Sequence, residues 1–358
     1  MTRVVDWDLA ERIALALAGQ GPAWNGGEAE LRAESDRAAT LVREYTGLEV
    51  RGDLPDAELI GRPEWARVNL ESFRGLSEQV EDAIAQRLSE TGRGGVSEWI
   101  ARTATGVEVG LAVGYLAQRV IGQYDVALIG PTRAPRLLFV GPNLSAARER
   151  LDVDRDLFLS WIALHETTHA VQFAAVPWLR EHLGATAEEL FRSAVIEVKP
   201  GELLQKLRGM SPGELVRTVS SGELVTLLWT EPQRQLMDRL TGAMTIVEGY
   251  AEHVMDAVGD RLDPGYAELR RRLDQDRRRR GPLDSLVSKL LGLEMKMEQY
   301  RRGKRFADYV ADRAGIETLN RVWEGPESLP TPAEIGQPRT WLERIGARRK
   351  RRLAALFR

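Results

Sequence analysis

Cysteine is absent from the 358-residue chain. This absence excludes disulfide frameworks, iron–sulfur clusters, cysteine-ligated zinc and thiol nucleophiles. Histidine is also scarce, with 4 in the whole sequence. Because so few imidazoles are present, two that bind a metal ion are not also available to a Ser-His-Asp triad. Gly-rich phosphate-binding loops and nucleotide fingerprints are missing as well.

The sequence also lacks a strong excess of either charge and a long apolar run. The net charge is −3, which predicts that nucleic acid is not a partner. The most apolar stretch, residues 104–121, contains Glu108 and Arg119, so stable membrane insertion is not expected. The first residues do not resemble a secretory signal, and we expect a cytoplasmic protein. Nothing in the composition specifies an oligomeric state.

Helical periodicity dominates, so the sequence predicts a mainly α protein. Glycines at Gly106, Gly110 and Gly114 predict a helix face that another backbone approaches closely. Strand signal is found in only one place, residues 125–129 and 136–140, which predict a small antiparallel pair. That pair is either a structural hairpin or an edge strand that could hold an extended peptide. The predicted helices include residues 7–17, 28–46, 63–74, 77–89, 97–121, 154–176, 187–195, 211–225, 236–258, 284–300, 306–314 and 340–358.

One predicted helix carries a motif with specific chemistry. His165, Glu166 and His169 form the pattern H-E-x-x-H within residues 154–176. Side chains four residues apart lie on one face of a helix, so both imidazoles can reach one metal ion. The carboxylate of Glu166 is then placed beside the metal as a general base for a zinc-activated water. The motif predicts one Zn²⁺ per chain.

A catalytic zinc needs a third protein ligand. The metzincin pattern would require a histidine where Ala175 stands, so that class is excluded. Glu248, Glu252 and Asp256 follow at spacings of four on a later predicted helix. We assign Glu248 as the ligand and Glu252 as the residue that holds a ligand histidine by its second ring nitrogen. His253 is the competing candidate, and a solvated acidic stripe without a metal is the alternative.

Other polar residues offer weaker predictions. Tyr300, Tyr250 and His253 are candidates for stabilising an oxyanion, although chance surface placement is the favoured explanation for any single one. The basic runs 270–280 and 348–352 could contact phosphates or acidic lipids. The first of them contains two aspartates and is typical of a solvated helix face. The insert between the two motifs, residues 170–247, could form part of a cover over the site.

The segments HETTHAVQF (165–173) and EGYAEHVMD (248–256) together resemble a bacterial zincin-like family. Its members are described as hydrolases or zinc-dependent metalloproteases, sometimes associated with deazaflavin-coenzyme biosynthesis. Family members often carry Asp where Glu252 stands, so this chain departs from the pattern there. Further segments share the resemblance over nearly the whole chain: 6–14, 114–125, 139–144 and 292–306.

The resemblance implies a zincin-like metalloprotease fold with a small β-hairpin or short sheet beside the H-E-x-x-H helix. We expect a single unit over residues 1–358. Its sub-regions would be an N-terminal helical part (1–122), the hairpin and motif helix (123–176), a helical part with the third ligand (177–322), and an irregular segment with a basic terminal helix (323–358).

Two functions from different classes fit these residues. The first is a zinc-dependent hydrolase, a metallopeptidase acting on a peptide or protein substrate. The second is a zinc-stabilised binding protein on the same scaffold without turnover. They share the metal and differ over Glu166, which is a general base only in the first.

Overall fold

The computed structural model describes residues 5–90, 96–126, 128, 133–197, 230–278 and 293–356. Helices account for most of these residues, as the periodicity predicts. Two short 3₁₀ turns, Asn320–Trp323 and Pro326–Ser328, interrupt the C-terminal part. The elements in chain order are α1 (Trp7–Ala18), α2 (Glu28–Thr46), β1 (Ala57–Ile60), α3 (Arg62–Glu90), α4 (Val96–Ala117), β2 (Gly122–Asp125), β3 (Arg136–Val140), α5 (Gly141–Leu151), α6 (Arg155–Ala175), α7 (Pro177–Glu197), α8 (Glu231–Leu262), α9 (Tyr266–Arg278), α10 (Leu293–Ala314), α11 (Ile316–Leu319), α12 (Pro332–Gly336) and α13 (Pro338–Leu356).

The sheet differs from the sequence prediction in two ways. Strand β2 pairs antiparallel with β3, as expected, but spans Gly122–Asp125 rather than residues 125–129. A third strand, β1, pairs parallel with β3, giving the order β1-β3-β2. The prediction of a single strand region was therefore wrong. β1 has four residues and no clear alternation of apolar side chains, so only its pairing with β3 marks it as a strand.

Both faces of this sheet are buried. Leu137 and Phe139 of β3 pack into the larger hydrophobic cluster. This cluster contains most of the buried apolar side chains of α2, α6 and α8. Leu138 and Val140 point the other way, into a smaller cluster built around α1, α3 and α4. Successive side chains of a strand face opposite sides, so one central strand serves both cores. β1 joins β3 on one side, and β2 is left at the other edge.

The glycines of α4 confirm the predicted close packing. A Cβ atom at Gly106 or Gly110 would lie 2.7 Å from a backbone carbonyl oxygen of Asp6 or Ala10. α1 therefore runs directly against this face of α4. None of the helices in the described ranges is long and apolar enough to span a membrane.

Several helices differ in extent from their predictions. α3 is one continuous helix, although two were predicted, because Gly75 is accommodated without a break. α7 begins at Pro177, earlier than predicted, since proline is favoured in a first helical turn. The predicted helix 211–225 lies outside the described residues, and so does much of 284–300.

Two helices position the candidate site. Asp154 caps the N-terminus of α6, because its carboxylate accepts hydrogen bonds from the backbone N–H groups of Asp156 and Leu157 at 2.9 and 3.0 Å. It packs along α2 and α8 and is buried over most of its length. α8 crosses α10 at Gly249, where a Cβ atom would lie 2.1 Å from the carbonyl carbon of Gly303. This contact between backbones sets the rotation of α8 next to Glu248.

Candidate metal centre

The two motif histidines lie on one face of α6. Their ring centroids are 4.8 Å apart and the rings are nearly perpendicular. His165 also stacks on Trp161, one turn earlier, with centroids 6.2 Å apart. His169 is buried, while His165 is half-buried and closer to the open side.

α8 adds the third group. Ligand atoms of His165, His169 and Glu248 all lie within 4.8 Å of one another. Nε2 of His169 is 3.5 Å from Oε2 of Glu248. The structure thus brings together the three residues that the sequence selects as metal ligands, although 79 residues separate His169 from Glu248 (248 − 169).

The ring nitrogens on the other side of the histidines have their own partners. Nδ1 of His169 lies 2.9 Å from Oε1 of Gln172. Gln172 in turn donates from Nε2 to the backbone carbonyl of Val247, at 3.0 Å, beside Glu248. Nδ1 of His165 lies 3.2 Å from Sδ of Met255. These contacts leave Nε2 of His169 directed at Glu248, the arrangement a metal-binding histidine requires.

The residue that orients a ligand histidine was predicted to be Glu252, a carboxylate on the later helix. At His169 the structure uses Gln172, on the same helix, and places Glu252 against Arg270 in a buried ion pair. Gln172 was missed because an amide three residues after a histidine is not a distinctive pattern. Residues 270–280 were interpreted as a solvated helix face, but the side chain of Arg270 is largely buried. That interpretation was therefore wrong for Arg270.

His253 does not belong to the ligand group. Its Nε2 lies 2.8 Å from the hydroxyl of Tyr45, and its Nδ1 lies 2.9 Å from Oδ1 of Asp308. Both ring nitrogens are therefore engaged one turn beyond Glu248. Its candidacy as a ligand or as an oxyanion donor finds no support in this position.

Tyr250, another oxyanion candidate, is fully buried and donates its hydroxyl to Oδ1 of Asn320 at 2.7 Å, and it is not among the lining residues of the cavity at this site. The side chain of Tyr300 lies outside the described residues. Tyr124 was not predicted, yet it lines the site cavity, and burial raises its pKa to about 12, with nearby Arg180 opposing the rise.

Glu166 rests against the edge strand β2. Its Oε2 accepts a hydrogen bond from the backbone N–H of Tyr124 at 3.0 Å. A Cβ atom at Gly122 would lie 2.6 Å from Cγ of Glu166 and 2.7 Å from its Oε1. Glycine at this position therefore provides the space in which the Glu166 carboxylate lies.

The electrostatics of the pair His169–Glu248 favour positive charge at this point. Burial alone would lower the pKa of His169, but the carboxylates of Glu248 and Glu166 and the contact with Gln172 outweigh it and raise the pKa to about 9. The buried carboxylates thus stabilise a cation between the helices. A proton and a divalent metal ion satisfy the same need.

A cavity of about 470 Å³ opens onto these residues. One wall is formed by α3, the end of α4 and β2, and the other by α6 and α8. His165, Glu166, His169 and Glu248 all line it. The predicted insert 170–247 contributes Met244 and Val247 to the lining, while its residues 198–229 lie outside the described part.

The fold and this donor set define a helical protein with a two-histidine, one-carboxylate centre, the class of site that zinc hydrolases use. The chain belongs to the zincin-like metallopeptidase family, which matches residues 5–342.

The chain is also similar to a solved structure over almost its whole length. A crystal structure from Chloroflexus aurantiacus, described as "a putative hydrolase with a novel fold", is 32% identical in sequence with a TM-score of 0.66. The match covers 96% of this chain and 99% of that one. No curated protein matches the chain.

Proposed function

We propose that this protein is a zinc-dependent peptidase. The observation that carries the proposal is the convergence of His165, His169 and Glu248 at one end of an apolar cavity, with Glu166 beside them. Family membership supports zinc and hydrolysis in general. The assignment of individual residues rests on this geometry.

The donor set fits zinc. Two imidazole nitrogens and one carboxylate oxygen are typical of zinc hydrolases, and three protein ligands leave a coordination position open for water or substrate. Zinc bound there would lower the pKa of a coordinated water and polarise a substrate carbonyl. Oxygen-only sites for Ca²⁺ or Mg²⁺ are chemically different from this set.

Glu166 is the proposed general base. Its hydrogen bond from the Tyr124 N–H holds the carboxylate against β2, beside the three ligands rather than among them. From there it can accept a proton as a water attacks the scissile carbonyl, and then pass that proton to the leaving amine. Gly122 permits this placement, and Gln172 keeps His169 directed at the metal position.

A peptide substrate is the proposal that suits the surroundings. β2 is an edge strand and lines the cavity together with the ligands. An extended peptide could lie along such an edge and bring its carbonyl to the open coordination position. Of the two interpretations of the predicted strand pair, the proposed function therefore uses the edge strand that could hold an extended peptide.

The test combines metal content with hydrolysis of a mixed library of quenched fluorogenic peptides. We expect about one zinc per chain in the wild type, retained in Glu166→Gln. Hydrolysis should fall by roughly 10²–10⁴-fold in that variant, because general-base catalysis contributes about this much. The exposed Glu231→Gln, at the start of α8, is the matched control and should keep full activity.

Three results would contradict the proposal. A wild-type protein that binds no zinc after reconstitution would remove the metal centre. Zinc-loaded protein whose hydrolysis is unchanged in Glu166→Gln would remove the general base, and zinc without any hydrolysis would favour the non-catalytic binding protein.

A further inference from the structure

The cavity beside the metal centre has a distinct chemical character. α3 contributes Trp65, Asn69 and Phe73, which share one face at spacings of four residues. Trp65 is buried at 3% exposure, whereas Phe73 is 45% exposed, so the wall runs from the interior to the surface. Opposite them, Phe173 and Met244 extend the apolar surface from α6 and α8.

The polar groups of the cavity are neutral or belong to the metal centre. Asn69 and Gln123 pair through their amides at 3.3 Å. The carboxylates are those of Glu166 and Glu248, which the proposed mechanism uses. No lysine or arginine occurs among the described lining residues.

This composition selects against charged substrate groups. A free C-terminal carboxylate, or an acidic side chain, would meet no lysine or arginine among the described lining residues and would lose its hydration. Arg180, which lies near Tyr124, already donates to the backbone carbonyl of Val126. A free N-terminal ammonium would have to share the carboxylates of the metal centre. A large apolar side chain, in contrast, gains from leaving water.

We propose that the cavity binds an internal peptide segment with a large apolar side chain next to the scissile bond, an inference that rests on the proposed zinc function. The protein would then be an endopeptidase rather than an exopeptidase. The volume agrees, since about 470 Å³ accommodates a ligand of a few residues rather than a single small group.

The test measures binding of hydroxamate probes to the zinc-loaded protein by calorimetry. Three probes carry a phenylalanine, glutamate or lysine side chain and end in an amide. We expect the phenylalanine probe to bind about tenfold or more tightly than either charged probe. A fourth probe, with phenylalanine and a free carboxylate, should bind no more tightly than its amide. Equal binding of the side chains, or a tenfold gain from the free carboxylate, would overturn the inference.

Two phenylalanines provide a matched pair of variants. Phe73 at the cavity rim and Phe191 on α7 are 45% and 44% exposed, and Phe191 is not among the lining residues. Phe73→Ala should weaken the phenylalanine probe by about threefold to tenfold. Phe191→Ala should leave it unchanged. Equal effects of the two variants would contradict the placement of the side chain in this cavity.

Acetohydroxamate separates the two proposals. It has no side chain, so it reports on the metal alone. If acetohydroxamate binds and the side-chain probes do not differ, the specificity inference fails and the zinc site stands. If the protein holds no zinc, or acetohydroxamate does not bind, both proposals fail.

Discussion

Helix α8 carries two histidine–carboxylate arrangements one turn apart, and their surroundings differ. Glu248 lies next to His165 and His169 on the wall of a cavity in which no described lining residue is a lysine or arginine. One turn later, His253 and Asp308 lie in a network whose carboxylates have cationic partners. The same residue types thus form a candidate metal centre at one point and an ion network at the next.

The second arrangement can be called the His253 network. Its ion pairs are Arg270 with Glu252 and Asp256, and Lys304 with Asp256 and Asp308. Tyr45 closes the other side of His253. The two sites differ in the groups that lie beside their carboxylates. These groups are arginine and lysine in the network, whereas the imidazole of His169 lies beside Glu248.

The largest expected effect separates the two histidines directly. His169→Ala should reduce zinc affinity by about a thousandfold (~4 kcal/mol), because the binding free energy of zinc, roughly 10–16 kcal/mol at structural sites, is shared among a few ligands. His253→Ala should bind zinc like the wild type. Zinc titration against a competing chelator measures both. An equal loss of zinc affinity in the two variants would show that the two sites do not differ in metal binding.

The next effect concerns stability in the His253 network. Glu252→Ala leaves the buried guanidinium of Arg270 without that partner. We expect the free energy of unfolding to fall by about 3 kcal/mol, at the lower end for breaking a buried pair because Arg270 retains Asp256. Urea unfolding measures this change. The double variant Glu252→Met with Arg270→Met should recover much of it, and zinc content should stay unchanged. A loss of zinc in Glu252→Ala would show that Glu252 supports the metal centre, as the sequence predicted.

A third prediction tests how Glu166 is held. Gly122→Ala should lower the free energy of unfolding by about 2 kcal/mol, because the new methyl group overlaps the Glu166 side chain. In a Glu166→Ala background the same change should cost much less, since the overlapping atoms are gone. Gly346→Ala, where no atom lies within 4 Å, is the control. An identical cost in both backgrounds would show that Gly122 does not act through Glu166.

The smallest effect is the pH dependence of Asp308. Burial would raise its pKa, but hydrogen bonds from His253 and Lys304 outweigh this and lower the pKa below its ordinary value of 3.8. The contribution to stability is therefore present above about pH 4 and is lost as the pH falls below it. Because the side chain is 36% exposed, we expect less than ~1 kcal/mol. The difference in urea midpoint between wild type and Asp308→Asn should shrink from pH 6 to pH 3. A constant difference would contradict this.

Local sequence patterns predicted most of the helices well, and they predicted that the two motif histidines lie on one helix face. The extent of α2 agrees with its prediction, and α6 agrees to within a residue at each end, because amphipathic periodicity and capping residues are encoded within a few positions. His165 and His169 lie together because helix geometry alone brings residues four apart onto one face. Strand β1 was missed because four residues carry little local signal and its partner is far along the chain.

The amino-acid sequence alone predicts a mainly α protein with an H-E-x-x-H helix, and it favours Glu248 as the third ligand over its neighbour His253. Tertiary structure was needed to show what surrounds each of these residues. Glu248 faces the histidines, while Glu252 and His253, within a turn of it, face Arg270 and Asp308. The contact of Gln172 with His169 and the hydrogen bond from the Tyr124 N–H to Glu166 also became visible only in the tertiary structure. The physical reason is that residues within one turn of a helix point in different directions, so which of them meets the metal centre depends on how α8 is rotated against α6 and α10.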